Sequence, residues 1–197
     1  KISQLTLVGS ASLLILIPVL LSREYRWKRV LSFLGIGDNT DIGYQANQSL
    51  ISLGNGGMFG VGLGNSIEKN HFLPTPHTDF IFAIIGEELG FLIGTVPVLT
   101  LFLFIFIRGI KIAKNCTDPF GVFLSIGIAF NLILYAFVNA AVVTGLFPVT
   151  GLPMPMVSYG GSGMVINMAM MGILLNISQS RQSIGGRHIW KSNIYGK

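Results

Sequence analysis

Residues 44–64 read YQANQSLISLGNGGMFGVGLG, and whether this stretch crosses a membrane decides the topology of the chain. It has the length that an apolar helix needs to span a hydrocarbon core about 30 Å thick. Its glycines and amides make it a weak span on hydropathy alone. Charge geography argues for a crossing. All Lys and Arg except Lys1 and Lys69 fall in three clusters. The first is Arg23, Arg26, Lys28 and Arg29; the second is Arg108, Lys111 and Lys114; the third is Arg181, Arg187, Lys191 and Lys197. Short basic loops stay cytoplasmic. The first two clusters can both do so only if the chain crosses twice between them. Residues 80–107 supply one crossing, so 44–64 is expected to supply the other. Gly-rich backbone at membrane depth is tolerated only where protein buries it or where it lines a wet cavity. The stretch is therefore predicted to be a broken transmembrane segment facing a cavity.

Composition supports a membrane setting. The 197 residues are 51% hydrophobic and 11% charged, with a net charge of +5. Soluble domains carry about 25% charged residues. Basic residues clustered between apolar runs read as topology signals, which disfavours nucleic acid as a partner. The single Cys116 can form no intrachain disulfide. The chain opens on Lys1 and enters an apolar run at once, which predicts the C-terminal part of a longer protein.

The expected fold is an all-α integral membrane protein, a polytopic helical bundle forming one membrane domain over 1–197. Spans are predicted at 2–21, 80–107, 120–143 and 160–177, besides the broken segment 44–64. A basic, aromatic interfacial helix is expected at 23–34 on the cytoplasmic side, and a polar, mobile cytoplasmic tail at 178–197. Parity then puts the loops 65–79 and 144–159 together outside the cytoplasm, which is where chemistry is expected.

Asp79 is the leading candidate. A carboxylate at the mouth of a membrane helix is costly to keep and marks a functional site by default. The rival reading is an N-cap, since Thr78 and Asp79 stand where a helix begins. His77 could tune such a base, and Pro74 and Pro76 stiffen the loop. Glu87 and Glu88, about 12–13 Å further along the helix, must be protonated, paired or facing a cavity. Gly86, Gly90 and Gly94 repeat at a spacing that suits helix packing. The loop 144–159 is apolar but carries Pro148, Pro153 and Pro155. It is expected to be re-entrant and to shape a lipid-facing groove ending at Ser158 and Tyr159. Lys69, on the outer side, could neutralise a pyrophosphate or pair with Glu68.

The motifs Tyr44-Gln45…Gln48-Ser49-Leu50, Gly56-Gly57-Met58-Phe59-Gly60-Val61-Gly62-Leu63-Gly64, Phe72-Leu73-Pro74…His77-Thr78-Asp79-Phe80 and Gly86-Glu87-Glu88-Leu89-Gly90 resemble the SEDS family of shape, elongation, division and sporulation proteins. That family comprises FtsW, RodA and SpoVE. Val143-Thr144-Gly145-Leu146 through Pro153-x-Pro155-x-x-Ser158-Tyr159-Gly160-Gly161-Ser162 resembles its second signature, in wording nearer FtsW than RodA. Thr75 and Ser162-Gly163 depart from residues common in the family. The resemblance implies a ten-helix fold of the bacterial inner membrane, of which this chain would be about the last five helices. It implies peptidoglycan glycosyltransferase activity on lipid II on the outer face, with a class B penicillin-binding protein and other divisome or elongasome proteins as partners. It places the essential carboxylate on Asp79. Candidate substrate-binding residues are Gln45, Gln48, Lys69, His77, Thr78, Ser158 and Tyr159. A divalent cation such as Mg2+ or Mn2+ is compatible with the chemistry, although no ligand set identifies one. The competing functions are a lipid II flippase and a non-catalytic divisome scaffold.

Overall fold

The computed structural model describes residues 24–36, 41–66 and 78–194. The predicted span 2–21, most of the loop 65–79 and residues 195–197 lie outside them. The described residues form helices and connecting turns, with no strand. These helices are α1 (Glu24–Phe33), α2 (Asp41–Gly56), α3 (Ile81–Gly90), α4 (Val96–Lys114), α5 (Pro119–Val143) and α6 (Gly161–Ile194), and a π-helical turn, Phe91–Thr95, joins α3 to α4.

Among the described residues three helices are long and apolar enough to cross a membrane: Ile81–Lys114, Pro119–Val143 and Gly161–Gln179. Their starts and stops follow from sequence. Pro119 opens α5, and the Asp118 carboxylate accepts from Gly121 N at 2.9 Å as its N-cap. Lys111 and Lys114 occupy the last turn of α4, where the helix dipole favours cations. The helix α6 continues through Ile194. The segment expected to be a mobile tail from 178 therefore extends the last helix, with no proline after Pro155 to stop it.

The predicted span 80–107 is not one regular helix. Gly90 adopts φ +79 and ψ 179, which breaks the α-helical path. Pro97 follows, unable to donate to the carbonyl four residues back and crowding it. The wide turn Phe91–Thr95 lies just before it, and Thr95 Oγ1 braces the turn by donating to Gly90 O (3.3 Å) and Phe91 O (3.1 Å).

A second segment fills that break. Val61 N donates to Glu87 O and Gly62 N to Glu88 O, both at 3.0 Å. Phe91 N donates to Gly57 O at 2.9 Å and Leu92 N to Met58 O at 3.1 Å. Two backbones approach this closely only without side chains. A Cβ on Gly60 would strike the Glu88 carbonyl, and one on Gly90 would strike Gly60 N. Both glycines also hold positive φ. The series 86, 90, 94 is therefore not one packing stripe. Gly86 faces Leu53, Gly90 makes the break, and Gly94 packs on its own preceding turn.

This interlock corrects the reading of 44–64. From Ser52 to Met58 the chain runs alongside Ala83 to Leu92, and by Val61 and Gly62 it has turned back beside Glu87 and Glu88. It enters and leaves at one end. At that same end Arg29 Nη1 of α1 donates to Val149 O at 2.9 Å. The basic helix 23–34 therefore lies on the Asp79 side and not opposite it. Arg29 and Asp79 thus share one end, and a second crossing between the first two basic clusters is no longer required. Length fits this picture. The 19 residues of α4 rise about 28 Å, matching a core of about 30 Å. The helix α3 then belongs to a collar at the Asp79 end.

Beneath that collar Phe80, Phe82, Phe102, Ala136, Val143 and Met154 form the larger apolar core. A smaller cluster, Ile128, Leu132 and Leu174, joins α5 to α6 towards the other end.

Candidate functional site

Asp79 stands just ahead of α3 and is half-buried. The N-terminus of α3 has no side-chain cap, so the capping role that rivalled a chemical one is not the role this carboxylate plays. Its backbone is held from elsewhere. Asn139 Nδ2 of α5 donates to Asp79 O and to Leu152 O, each at 2.8 Å. Ser158 Oγ donates to Thr78 O at 2.6 Å and accepts from Met154 N at 2.7 Å. Consecutive carbonyls are thus pinned by two side chains about 60 and 80 residues away in sequence. The side chain of Asp79 keeps its freedom to act while its Cα does not.

The electrostatics come from α1. A Cβ on Gly151 would lie 3.5 Å from Asp79 Oδ2 and 3.9 Å from Arg29 Nη1. Carboxylate and guanidinium therefore converge on this one residue, whose φ of +73 favours glycine. Burial pushes the Asp79 pKa up from the ordinary carboxylate value, and the positive charge of Arg29 offsets part of that rise. The result is a partly desolvated base facing a fixed cation.

The loop 144–159 supplies Val149, Leu152, Met154 and Ser158 to this arrangement. It has no re-entrant helix; it runs as turns and irregular backbone over Asp79. Its end does line an apolar groove of about 540 Å³ with Ile81, Val157, Tyr159, Gly160, Gly161 and Met164.

The predicted site residues divide accordingly. Thr78, Asp79 and Ser158 are brought together. The Ser158 hydroxyl donates to Thr78 O and accepts from Met154 N, which ties the end of the loop to the residue before Asp79. Tyr159 is exposed beside the groove. Gln45 and Gln48 sit half-buried on α2, and among the described residues no hydrogen bond joins them to Asp79. Lys69 and His77 lie outside the described residues. Glu87 is fully buried and accepts from Ser52 Oγ at 2.9 Å and Ser66 Oγ at 2.5 Å. It clasps both arms of the re-entrant segment to α3, which is a structural duty. Glu88 is half-buried and its carbonyl accepts from Gly62 N. Among the described residues no three of His, Cys, Asp and Glu converge as a ligand set for the divalent cation.

Sequence reasoning missed Arg29, Asn139 and Gly151. Arg29 was masked by its cluster, which reads as a topology signal. Asn139 carried a usable signal, since an amide in an apolar span is rarely without a partner.

Comparison with known proteins gives a consistent result. The family model of FtsW, RodA and SpoVE, described as cell cycle protein, matches residues 1–183. A probable peptidoglycan glycosyltransferase FtsW of Geobacter sulfurreducens is 46% identical over 172 residues, covering 87% of this chain and 46% of its own. The stage V sporulation protein E of Bacillus subtilis is 43% identical over 180 residues, 91% of this chain and 49% of its own. A chain from the solved structure titled "Structural coordination of polymerization and crosslinking by a peptidoglycan synthase complex" superposes with a TM-score of 0.69 at 30% identity, over 90% of this chain and 49% of that one. The chain spans about half the length of the curated relatives it matches.

Proposed function

Because this multi-pass membrane chain belongs to the FtsW, RodA and SpoVE family of cell cycle proteins, we propose that it carries the catalytic face of a peptidoglycan glycosyltransferase. The substrate is lipid II, polymerised into glycan strands. The observation that carries the reading is Asp79: a carboxylate with no capping duty, raised in pKa by burial, facing Arg29, its backbone pinned by Asn139 and Ser158.

Asp79 takes the proton of the acceptor sugar hydroxyl. That oxygen forms a bond to the anomeric carbon of the donor, and the bond to the lipid pyrophosphate breaks. A positioned base supplies about 10²–10⁴-fold. Pyrophosphate leaves as an anion, and a preorganised cation lowers the barrier to its departure. Arg29 is suited to that task because a guanidinium pairs with phosphate oxygens through two parallel bonds. The groove beside Ser158 and Tyr159 suits the polyprenyl chain of the substrate.

The second basic cluster, on α4, and Arg181, Arg187 and Lys191 of the third, on α6, sit at the end remote from Asp79. Short basic termini and loops favour the cytoplasm, so the Asp79 collar faces outward from the bacterial inner membrane and the C-terminus faces in. A class B penicillin-binding protein is the expected partner there, with other divisome or elongasome membrane proteins. A flippase would use a buried acid as a moving charge, but Glu87 is tied to two serines, and that favours the enzyme.

The test uses full-length protein with its partner, purified lipid II and a gel readout of glycan. Asp79→Asn is expected to lower polymerisation by at least about 100-fold. Because burial raises the folded-state pKa, the ionised carboxylate costs stability at neutral pH. The Asn variant should therefore unfold no earlier than wild type. Polymerisation at the wild-type rate would remove Asp79 from the reaction.

A further inference from the structure

The end of the bundle opposite Asp79 holds a cavity of about 490 Å³ between α4 and α6, closed below by the turn at Asn115 and Cys116. The wall from α4 is one helical face, since Phe104, Arg108 and Lys111 follow at i, i+4 and i+7. The wall from α6 includes Met171 and Leu174. The Arg108 guanidinium lies over the Phe104 ring, 5.7 Å from its centroid. That contact holds the charge against the cavity wall.

The chemistry of the lining is split along the membrane normal. Lys114 ends α4, so Lys111 and Arg108 sit about 4.5 and 9 Å inside that end. That is the depth of headgroups and the first methylenes. Phe104 lies deeper, and with Ile105, Met171 and Leu174 it makes the inner part hydrocarbon-like. Among the described residues no carboxylate lines the cavity. The nearest acid in the adjoining turn, Asp118, is engaged as the cap of α5. The cavity thus presents two cations with no anion among its lining residues, at the mouth of an apolar slot.

We propose that this cavity binds an anionic phospholipid of the surrounding bilayer. Its phosphate sits between Arg108 and Lys111, and one acyl chain lies along Phe104, Ile105, Met171 and Leu174. Charge complementarity selects this occupant. A zwitterionic lipid carries its own cation to the same depth, and an apolar helix would leave two charges facing hydrocarbon. Clusters of basic residues at a membrane boundary recognise anionic headgroups in this way. The site is separate from Asp79, so it stands or falls apart from the glycosyltransferase reading.

Native mass spectrometry of the full-length protein, released from nanodiscs holding equal phosphatidylglycerol and phosphatidylethanolamine, tests this directly. Wild type is expected to retain phosphatidylglycerol over phosphatidylethanolamine by about tenfold. The double substitution Arg108→Gln with Lys111→Gln should bring the two to parity, whereas Lys191→Gln in the tail should not. A second measurement uses Cys116, which lines the cavity. Its alkylation by a maleimide, read on its own peptide, should be several-fold slower in phosphatidylglycerol nanodiscs than in phosphatidylethanolamine ones. Equal retention of both lipids by wild type overturns the proposal, as does undiminished retention by the double variant. Equal protection of Cys116 in both lipids would show the cavity filled by another segment of the protein, and equal exposure would show it empty; either rejects the lipid.

Discussion

The two ends of the bundle are built by different means. At the Asp79 end, polar groups far apart in sequence hold one another: Asn139 to Asp79 and Leu152, Ser158 to Thr78, Arg29 to Val149, Ser52 and Ser66 to Glu87. At the other end the hydrogen bonds are local. Asn115 Nδ2 donates to Lys111 O four residues back, and Asp118 caps the helix it precedes. The long-range fit there is apolar, through Ile128, Leu132 and Leu174. A buried polar network is costly unless every member is satisfied, and satisfied it fixes one geometry. A reaction needs one geometry, to within a few tenths of an ångström. A membrane-spanning end needs only to pack.

This contrast can be broken at several points. The largest stability effect is expected at the interlock. Gly90→Ala places a methyl group onto the backbone of Phe59 and Gly60 and forces φ +79 on a residue that resists it. We expect a loss above about 2 kcal/mol, read as a marked fall in the unfolding midpoint of the purified protein. A midpoint matching wild type would mean that the two segments are not locked together.

Asn139→Ala comes next. It leaves the buried carbonyls of Asp79 and Leu152 without their donor, at a cost of about 1–3 kcal/mol. Its specific signature is kinetic: turnover should fall more than lipid II affinity, because the base moves while the groove remains. Equal losses in both would make Asn139 a packing residue only.

Arg29→Gln acts through charge. Removing the cation lets the burial effect on Asp79 go unopposed, so the carboxyl pKa rises further. The acid limb of the polymerisation pH profile should therefore move to higher pH, with reduced rate on its plateau. An unmoved limb would separate Arg29 from the base.

The smallest effect belongs to the far end. Asn115→Ala deletes one exposed, local hydrogen bond and should change stability by no more than about 0.5 kcal/mol. A larger loss would erase the distinction between the two ends.

The place of Asp79 at the head of an apolar helix was legible, though not its role, and so were the long spans and the start of α5 at Asp118-Pro119. These are local properties. An apolar run of sufficient length must find hydrocarbon, and a proline behind an aspartate starts a helix whatever surrounds it. The stretch 44–64 was not legible in this way. Its glycines announced close backbone approach, but not the partner, and a weak span looks the same as a re-entrant segment in hydropathy. The first basic cluster misled for a related reason. A charge-counting rule treats Arg29 as a solvated topology signal, whereas its guanidinium is anchored at Val149 O and faces Asp79.

The sequence by itself determined that this is a helical membrane protein with a carboxylate at the mouth of its longest apolar run, because hydrophobic length and helix-start chemistry act over neighbouring residues. Only the tertiary structure decided that residues 44–64 return to the face they came from, and that α1 brings its arginine to Asp79. It also decided that two side chains from α5 and the Pro-rich loop pin the backbone there. Those outcomes depend on which backbone groups a broken helix leaves unpaired, and the partners that satisfy them are chosen in space, not along the chain.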